Sequence, residues 1–102
     1  MSNSASEEDS ILYQEIANAI RNQFRQHEID LMIRIYRRCK SDRTHFVKLY
    51  VLKKIHQYKK TLKRFRSEGY VYLHKGKEPY HFTRFGFDTG RAMLELRELG
   101  YL

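Results

Sequence analysis

The chain has 102 residues, with 20 Lys and Arg against 12 Asp and Glu, and a formal net charge of +8. This length supports one hydrophobic core, and a hydrophobic content of 41% with many Tyr and Phe excludes a wholly disordered chain. No window approaches the roughly 18 consecutive apolar residues of a membrane span, and the acidic residues 1–10 do not resemble a secretory signal, so we expect a cytoplasmic protein without membrane contact.

The first part of the chain predicts two helices. Residues 1–9 are expected to be a disordered acidic terminus, followed by a single domain over residues 10–102. The cap of the first helix is left open between Ser6, Asp9 and Ser10, with acidic residues suited to its first turn. From Ile11 to Phe24, apolar side chains recur every four residues, which is typical of an amphipathic helix. The same kind of pattern predicts a second helix with basic residues on its other side. Its expected core residues are Ile29, Met32, Ile33, Tyr36 and Cys39.

Two further helices are expected between the polar break at residues 41–44 and Gly69. The first of them ends near Lys53, and its apolar residues are Phe46, Val47, Tyr50 and Val51. The second is strongly basic and buries a seam formed by Tyr58, Leu62 and Phe65. Gly69 suits the left-handed residue that closes many helices. The sequence leaves open whether one bent helix or two run through residues 53–57, which contain neither Gly nor Pro.

After Gly69 the pattern changes from helical to strand spacing. Residues 70–74 and 79–83 are rich in aromatic and β-branched residues and flank a short turn with a Gly, which predicts a β-hairpin with a basic tip. A last helix is expected over residues 87–99, capped by Asp88 or Thr89 and closed at Gly100. The predicted class is therefore α+β, mainly α.

Residue types that carry catalysis or hold metals are sparse. Cys39 is the single cysteine, which excludes an intramolecular disulfide and a multi-cysteine zinc site. The five His residues show neither an HxxxH nor an HExxH spacing, and no Gly-rich phosphate loop or GxSxG motif is present. We therefore expect no enzymatic activity, no metal and no cofactor.

The charge of the chain is unevenly distributed. Residues 7–30 contain six acidic and two basic residues, whereas residues 43–66 contain nine basic residues and no acidic one. Ordinary surfaces intersperse the two signs, and concentrated like charges repel one another unless a polyanion neutralises them. The basic segment therefore favours a nucleic-acid partner over the alternative of a merely solvated face.

Two stretches resemble the winged helix-turn-helix superfamily, particularly its small MarR-like and PadR-like DNA-binding proteins. Residues 62–71, Leu-Lys-Arg-Phe-Arg-Ser-Glu-Gly-Tyr-Val, are similar to the end of a recognition helix followed by the first strand of the wing. Residues 80–86, Tyr-His-Phe-Thr-Arg-Phe-Gly, are similar to the second wing strand and the turn into the final helix. The resemblance implies one β-hairpin wing, with N-terminal and C-terminal helices flanking the domain, and a source in a microbe, microbial virus or plasmid.

A recognition helix in the major groove presents to DNA the side opposite its buried seam. On that reasoning, the residues predicted to read bases are Gln57, Lys60, Thr61 and Arg64. Those predicted to hold phosphates are Lys53, Lys54, Lys59, Lys63 and Arg66, with Lys75 and Lys77 at the wing tip. The Tyr residues of the basic helix and hairpin are expected to pack in the core rather than stack on single-stranded bases, so RNA ranks below duplex DNA.

A homodimer is expected, because one recognition helix reads only a few base pairs and two-fold symmetry doubles the site. The first and last helices carry apolar stripes and little net positive charge. Their predicted interface residues are Leu12, Ile16, Ile20, Phe24, Leu96 and Leu99. The alternative is that both helices simply close over the core of the monomer.

Three functional classes follow. The first is a nucleoid-associated regulator of transcription, most simply a repressor, that binds double-stranded DNA sequence-specifically. The second is a DNA-partition protein that spreads from a centromere-like site and recruits a further protein. The third is a protein-interaction module whose basic face meets an acidic partner.

Overall fold

A computed structural model of the chain describes residues 7–41, 46–47, 55–73 and 80–102, with the backbone alone described at residues 41, 46–47 and 55–57. The helices are α1 Glu7–Gln23, α2 Gln26–Ser41, α3 Ile55–Ser67 and α4 Arg84–Glu98. The strands are β1 Phe46–Val47, β2 Val71–Leu73 and β3 Tyr80–Phe82. The predicted α+β class, mainly α, is confirmed.

The first helix begins at Glu7, the earliest start that the candidate caps allow. Its first turn contains Glu7, Glu8 and Asp9, which were expected to belong to a disordered terminus. Acidic side chains interact favourably with the positive end of the helix dipole, which explains why the helix extends to them. Residues 1–6 of the predicted disordered segment lie outside the described part of the chain.

The apolar stripe of α1 turns from solvent into the core along the helix. Leu12 and Ile16 are 51% and 39% exposed, whereas Ile20 is half-buried against the core and Phe24, just beyond the helix, is buried. Each step of four residues rotates the side chain by about 40° around the axis, because an α-helix has 3.6 residues per turn. Three such steps from Leu12 to Phe24 rotate the side chain by about 120°, so the four residues do not share one face.

Helix α2 lies at the centre of the core. All its predicted core residues are buried, and so are Leu31 and Ile35 beside them. Helix α4 approaches it closely at Gly90, where an added Cβ would lie 2.8 Å from the Cβ of Tyr36. The ring of Tyr36 also contacts that of Phe87, with 5.0 Å between the ring centroids.

Residues 46 and 47 form a strand, so the prediction of a helix there is wrong. They make up β1, which pairs antiparallel with β3 in a sheet of order β1-β3-β2. An aromatic and a β-branched residue suit a strand once a partner strand is available, and that partner lies more than thirty residues away in the sequence. Tyr50, Val51, Lys53 and Lys54, the rest of that predicted helix, lie outside the described residues.

The predicted hairpin is confirmed by the pairing of β2 with β3. Val71 lies opposite Phe82 and Leu73 opposite Tyr80. Val71, Tyr80 and Phe82 are buried, while Tyr72 is exposed on the other face of the sheet. The tip of the hairpin, predicted to be a wing tip with Lys75 and Lys77, lies outside the described residues.

Glycines close two helices as predicted. Gly69 has φ 85° and Gly100 has φ 91°. After α3, the N–H of Tyr70 donates to the carbonyl of Phe65, and after α4 the N–H of Tyr101 donates to the carbonyl of Leu96, both at 2.8 Å. These are the six-to-one hydrogen bonds of a Schellman motif, which a left-handed residue makes possible.

Helix α4 begins before the predicted caps. Its N-cap is Thr83, whose hydroxyl oxygen accepts from the N–H of Gly86 at 2.9 Å. Asp88 and Thr89 therefore lie within the helix, contrary to prediction. Thr83 also donates its hydroxyl to the carbonyl of Gly69 at 2.6 Å, which joins the start of α4 to the end of α3.

Gly86 provides a test of this junction. An added Cβ would lie 1.9 Å from the carbonyl oxygen of Tyr70, so Gly86→Ala should destabilise the domain by about 2–3 kcal/mol, although Ala is the better helix former. Gly69→Ala is the control, because nothing lies within 4 Å there and only the left-handed backbone costs about 1–2 kcal/mol. Urea unfolding measures each variant against the wild type; a Gly86→Ala variant as stable as the wild type would contradict the close contact.

Candidate nucleic-acid interface

Helix α3 is held to the domain along one side. Leu62 and Phe65 are fully buried and Tyr58 is half-buried, as the predicted seam requires. The ring of Phe65 lies 6.3 Å from that of Phe24 and 6.0 Å from that of Tyr70, measured between centroids. These contacts fix which side of α3 faces the core.

The exposed part of α3 carries four cations. On a helical period they cover a continuous sector of about 120°. They are Lys59, Lys60, Lys63 and Arg66. No acidic side chain within the described ranges forms an ion pair with any of them. This set of four is called the cationic face below.

Thr61 does not lie on the cationic face, contrary to the prediction that it reads bases. Its side chain is 8% exposed, because position 61 lies next to the buried seam on the helical period. Gln57 belongs to the backbone of α3, but its side chain lies outside the described part of the chain. Of the four predicted base-reading residues, Lys60 alone has a described side chain on the cationic face.

Arg64 points towards the junction of α1 and α2 rather than away from the domain. Its guanidinium forms an ion pair with the carboxylate of Glu28 and donates to the carbonyl of Gln23 at 2.6 Å. Its Cζ lies 5.4 Å from the centroid of the Phe24 ring, within the range of a cation–π contact. Arg64 therefore ties α3 to the end of α1 and the start of α2.

Glu28 was not singled out by sequence reasoning, yet it holds this junction together. It is the third residue of α2, and its carboxylate also accepts from the N–H of Arg25 at 2.7 Å, as in a capping box. Burial raises the pKa of Glu28, but the hydrogen bonds from Arg64 and Arg25 outweigh it and leave the pKa below its ordinary value. The pKa of Arg64 is raised in turn by its hydrogen bond to Glu28.

Most of the described Tyr residues take part in internal contacts. Tyr70 and Tyr80 are buried, which confirms their expected core packing, and burial raises the pKa of Tyr70. Tyr58 accepts a hydrogen bond from Arg34 at 3.0 Å. Tyr72 is exposed on the outer face of the sheet, contrary to its expected core packing, with its ring 5.2 Å from that of His81. Tyr50 lies outside the described residues.

The predicted dimer residues fall into two groups. Phe24 and Leu96 are buried in the monomer, so their assignment to an intermolecular interface is wrong. Ile20 packs half-buried against the same core. Leu12, Ile16 and Leu99 remain exposed.

Comparison with protein-family models, curated proteins and solved structures finds no match for the chain. Within the described ranges, no helix is both long and apolar enough to cross a membrane. The same part of the chain contains no cluster of three or more His, Cys, Asp or Glu residues able to hold a metal ion.

The contacts of Glu28 with Arg64 and Arg25 predict that the domain is less stable in acid. Because folding lowers the pKa of Glu28 below 4.5, its contribution is present above pH 4.5 and is lost as the pH falls through the folded-state pKa. Glu28→Gln should cost about 1–3 kcal/mol at neutral pH and less in acid. Urea unfolding across this pH range measures the difference.

Glu95→Gln is the matched control, since Glu95 is exposed on α4. It should change the free energy of unfolding by less than about 0.5 kcal/mol at any pH. If Glu28→Gln and Glu95→Gln had the same pH profile, Glu28 would not be a structural anchor.

Proposed function

We propose that the protein binds double-stranded DNA sequence-specifically as a homodimer and regulates transcription. The observation that carries this proposal is the cationic face of α3. Four basic side chains converge on one side of a helix whose opposite side is buried, with no acidic partner among the described residues. Such a face attracts a polyanion, and the width of a helix fits the major groove of DNA.

The order of the elements supports a winged helix-turn-helix interpretation. Helix α3 runs through a tight Schellman turn into the β2–β3 hairpin, and β1 pairs with β3 at the other edge of the same sheet. In this interpretation α3 is the recognition helix and the hairpin is the wing, with α1 and α4 flanking the domain. Lys53, Lys54, Lys75 and Lys77 remain proposed phosphate contacts from outside the described residues.

The burial of Thr61 and the ion pair of Arg64 revise the proposed roles on α3. Lys60 and Lys63 lie farthest from the buried seam on the helical period, so they are assigned to base edges, where Lys pairs with guanine. Lys59 and Arg66 lie nearer one edge of the face and are assigned to phosphates. Gln57 remains a proposed adenine reader.

Affinity for duplex DNA should fall steeply with salt, because each Lys–phosphate or Arg–phosphate contact releases counterions. With about six contacts per dimer, the slope of log K against log salt should be near −5, and Arg66→Gln should make it shallower by about 1 per contact removed. Fluorescence anisotropy with a labelled duplex measures both.

Arg91→Gln on α4 is the charge-matched control, since Arg91 is exposed and paired with Asp88. It should leave the slope unchanged. A wild-type slope near zero would refute the electrostatic argument.

Footprinting separates the two DNA functions. One short protected palindrome indicates an operator, and progressive spreading indicates partition.

The homodimer is proposed to form through the exposed apolar part of α1. An antiparallel pairing of two copies centred near residue 14 places Leu12 opposite Ile16 of the second copy. Apolar contacts then cover side chains that are solvent-exposed in the monomer.

Ile16→Glu should therefore give a folded monomer with weaker operator binding, because Ile16 lies outside the monomer core and the two half-sites lose their linkage. Ile11→Glu is the control, as Ile11 is exposed on another side of α1. Sedimentation and circular dichroism distinguish the outcomes. A wild-type monomer at high micromolar concentration, or an unfolded Ile16→Glu variant, would contradict this interface.

A further inference from the structure

A pocket opens between the α1–α2 junction and the adjoining side of α3, with a volume of about 530 Å³. Its lining includes the cationic side chains of Arg21, Arg25, Lys60 and Arg64 and the imidazole of His27. Glu28 is the single acidic residue in the lining, and its carboxylate is already engaged by Arg64. The remaining charge of the pocket is therefore positive.

The cations come from three separate elements. Arg21 belongs to α1, Arg25 precedes the first residue of α2, and Lys60 belongs to α3. No ion pair within the described residues neutralises Arg25 or Lys60. Arg21 donates to the carbonyl of Tyr101 at 2.6 Å, outside the lining, so Arg25 and Lys60 are the cations most available to a ligand. The start of α2 adds the positive end of a helix dipole.

From this convergence we infer that the pocket binds a phosphate group. Guanidinium groups donate parallel hydrogen bonds to two oxygens of one phosphate, and Lys60 supplies a further point charge. The volume exceeds what one phosphate needs and is within the range of small-molecule sites. The phosphate belongs either to a DNA backbone or to a free phosphorylated small molecule.

Inorganic pyrophosphate is the probe for the site itself, used at low ionic strength where charge interactions are least screened. Isothermal titration should give saturable binding, with amide shifts in ¹H–¹⁵N spectra concentrated at Arg25, His27 and Lys60. Arg25→Gln and Lys60→Gln should each weaken binding by about tenfold or more, the usual consequence of losing a charged hydrogen bond. Both side chains are exposed, so the variants should retain the fold.

Two charge-matched variants are the controls. Lys59→Gln removes a charge from the cationic face outside the pocket, and Arg91→Gln removes one from neither site. Each should weaken pyrophosphate by less than about threefold, as expected for a screened distant charge. The inference is overturned if pyrophosphate fails to bind, or if the controls weaken it as much as Arg25→Gln does.

Binding to duplex DNA distinguishes the two sources of phosphate. This part of the test rests on the proposed function. If the pocket holds a backbone phosphate, Arg25→Gln weakens DNA binding and makes its salt slope shallower by about 1. If it holds a free ligand, Arg25→Gln leaves DNA affinity unchanged, but pyrophosphate no longer competes with DNA for binding to the variant. A protein that binds pyrophosphate through Arg25 but no duplex would refute the proposed function and retain the pocket.

Discussion

The ion pair between Arg64 and Glu28 determines how α3 is oriented on the rest of the domain. One buried carboxylate caps α2 through the N–H of Arg25 and receives the guanidinium from α3. The same guanidinium bonds the last carbonyl of α1 and lies over Phe24. Removing either partner leaves the other charge without compensation in a partly buried position, which costs more than the pair contributes. The direction of the cationic face depends on this contact together with the burial of Leu62 and Phe65.

Helix α3 needs such an anchor because its own charges oppose folding. Four uncompensated cations on one side repel one another, and no acidic residue lies in the first turn of the helix. The opposing contributions come from burial of Leu62 and Phe65, about 1.5–3 kcal/mol each, and from the Schellman turn at Gly69. Folding leaves the repulsion between these cations in place. A bound polyanion relieves it, and this relief adds to the free energy of binding.

Local sequence signals predicted the elements whose causes are local. The seam of α2, the anchors Leu62 and Phe65 and the closing glycines were all predicted correctly, since periodicity and left-handed geometry act within a few residues. The strand at residues 46–47 was missed because its partner is distant in the chain. Arg64 was misassigned for the same reason, as Glu28 lies 36 residues before it.

Position on the helical period explains why Lys60 is central to both proposals. Thr61 and Arg64 lie to one side of Lys60 on α3, towards the α1–α2 junction, and Lys63 and Arg66 lie to its other side. Lys60 lies between these groups, so it belongs to the cationic face and also lines the phosphate pocket. The single ammonium group of Lys60 neutralises one phosphate more effectively than it neutralises two at the same time. Thermodynamic linkage then requires the effect to be reciprocal: a ligand that engages Lys60 in the pocket weakens DNA binding by the same factor by which DNA weakens the ligand.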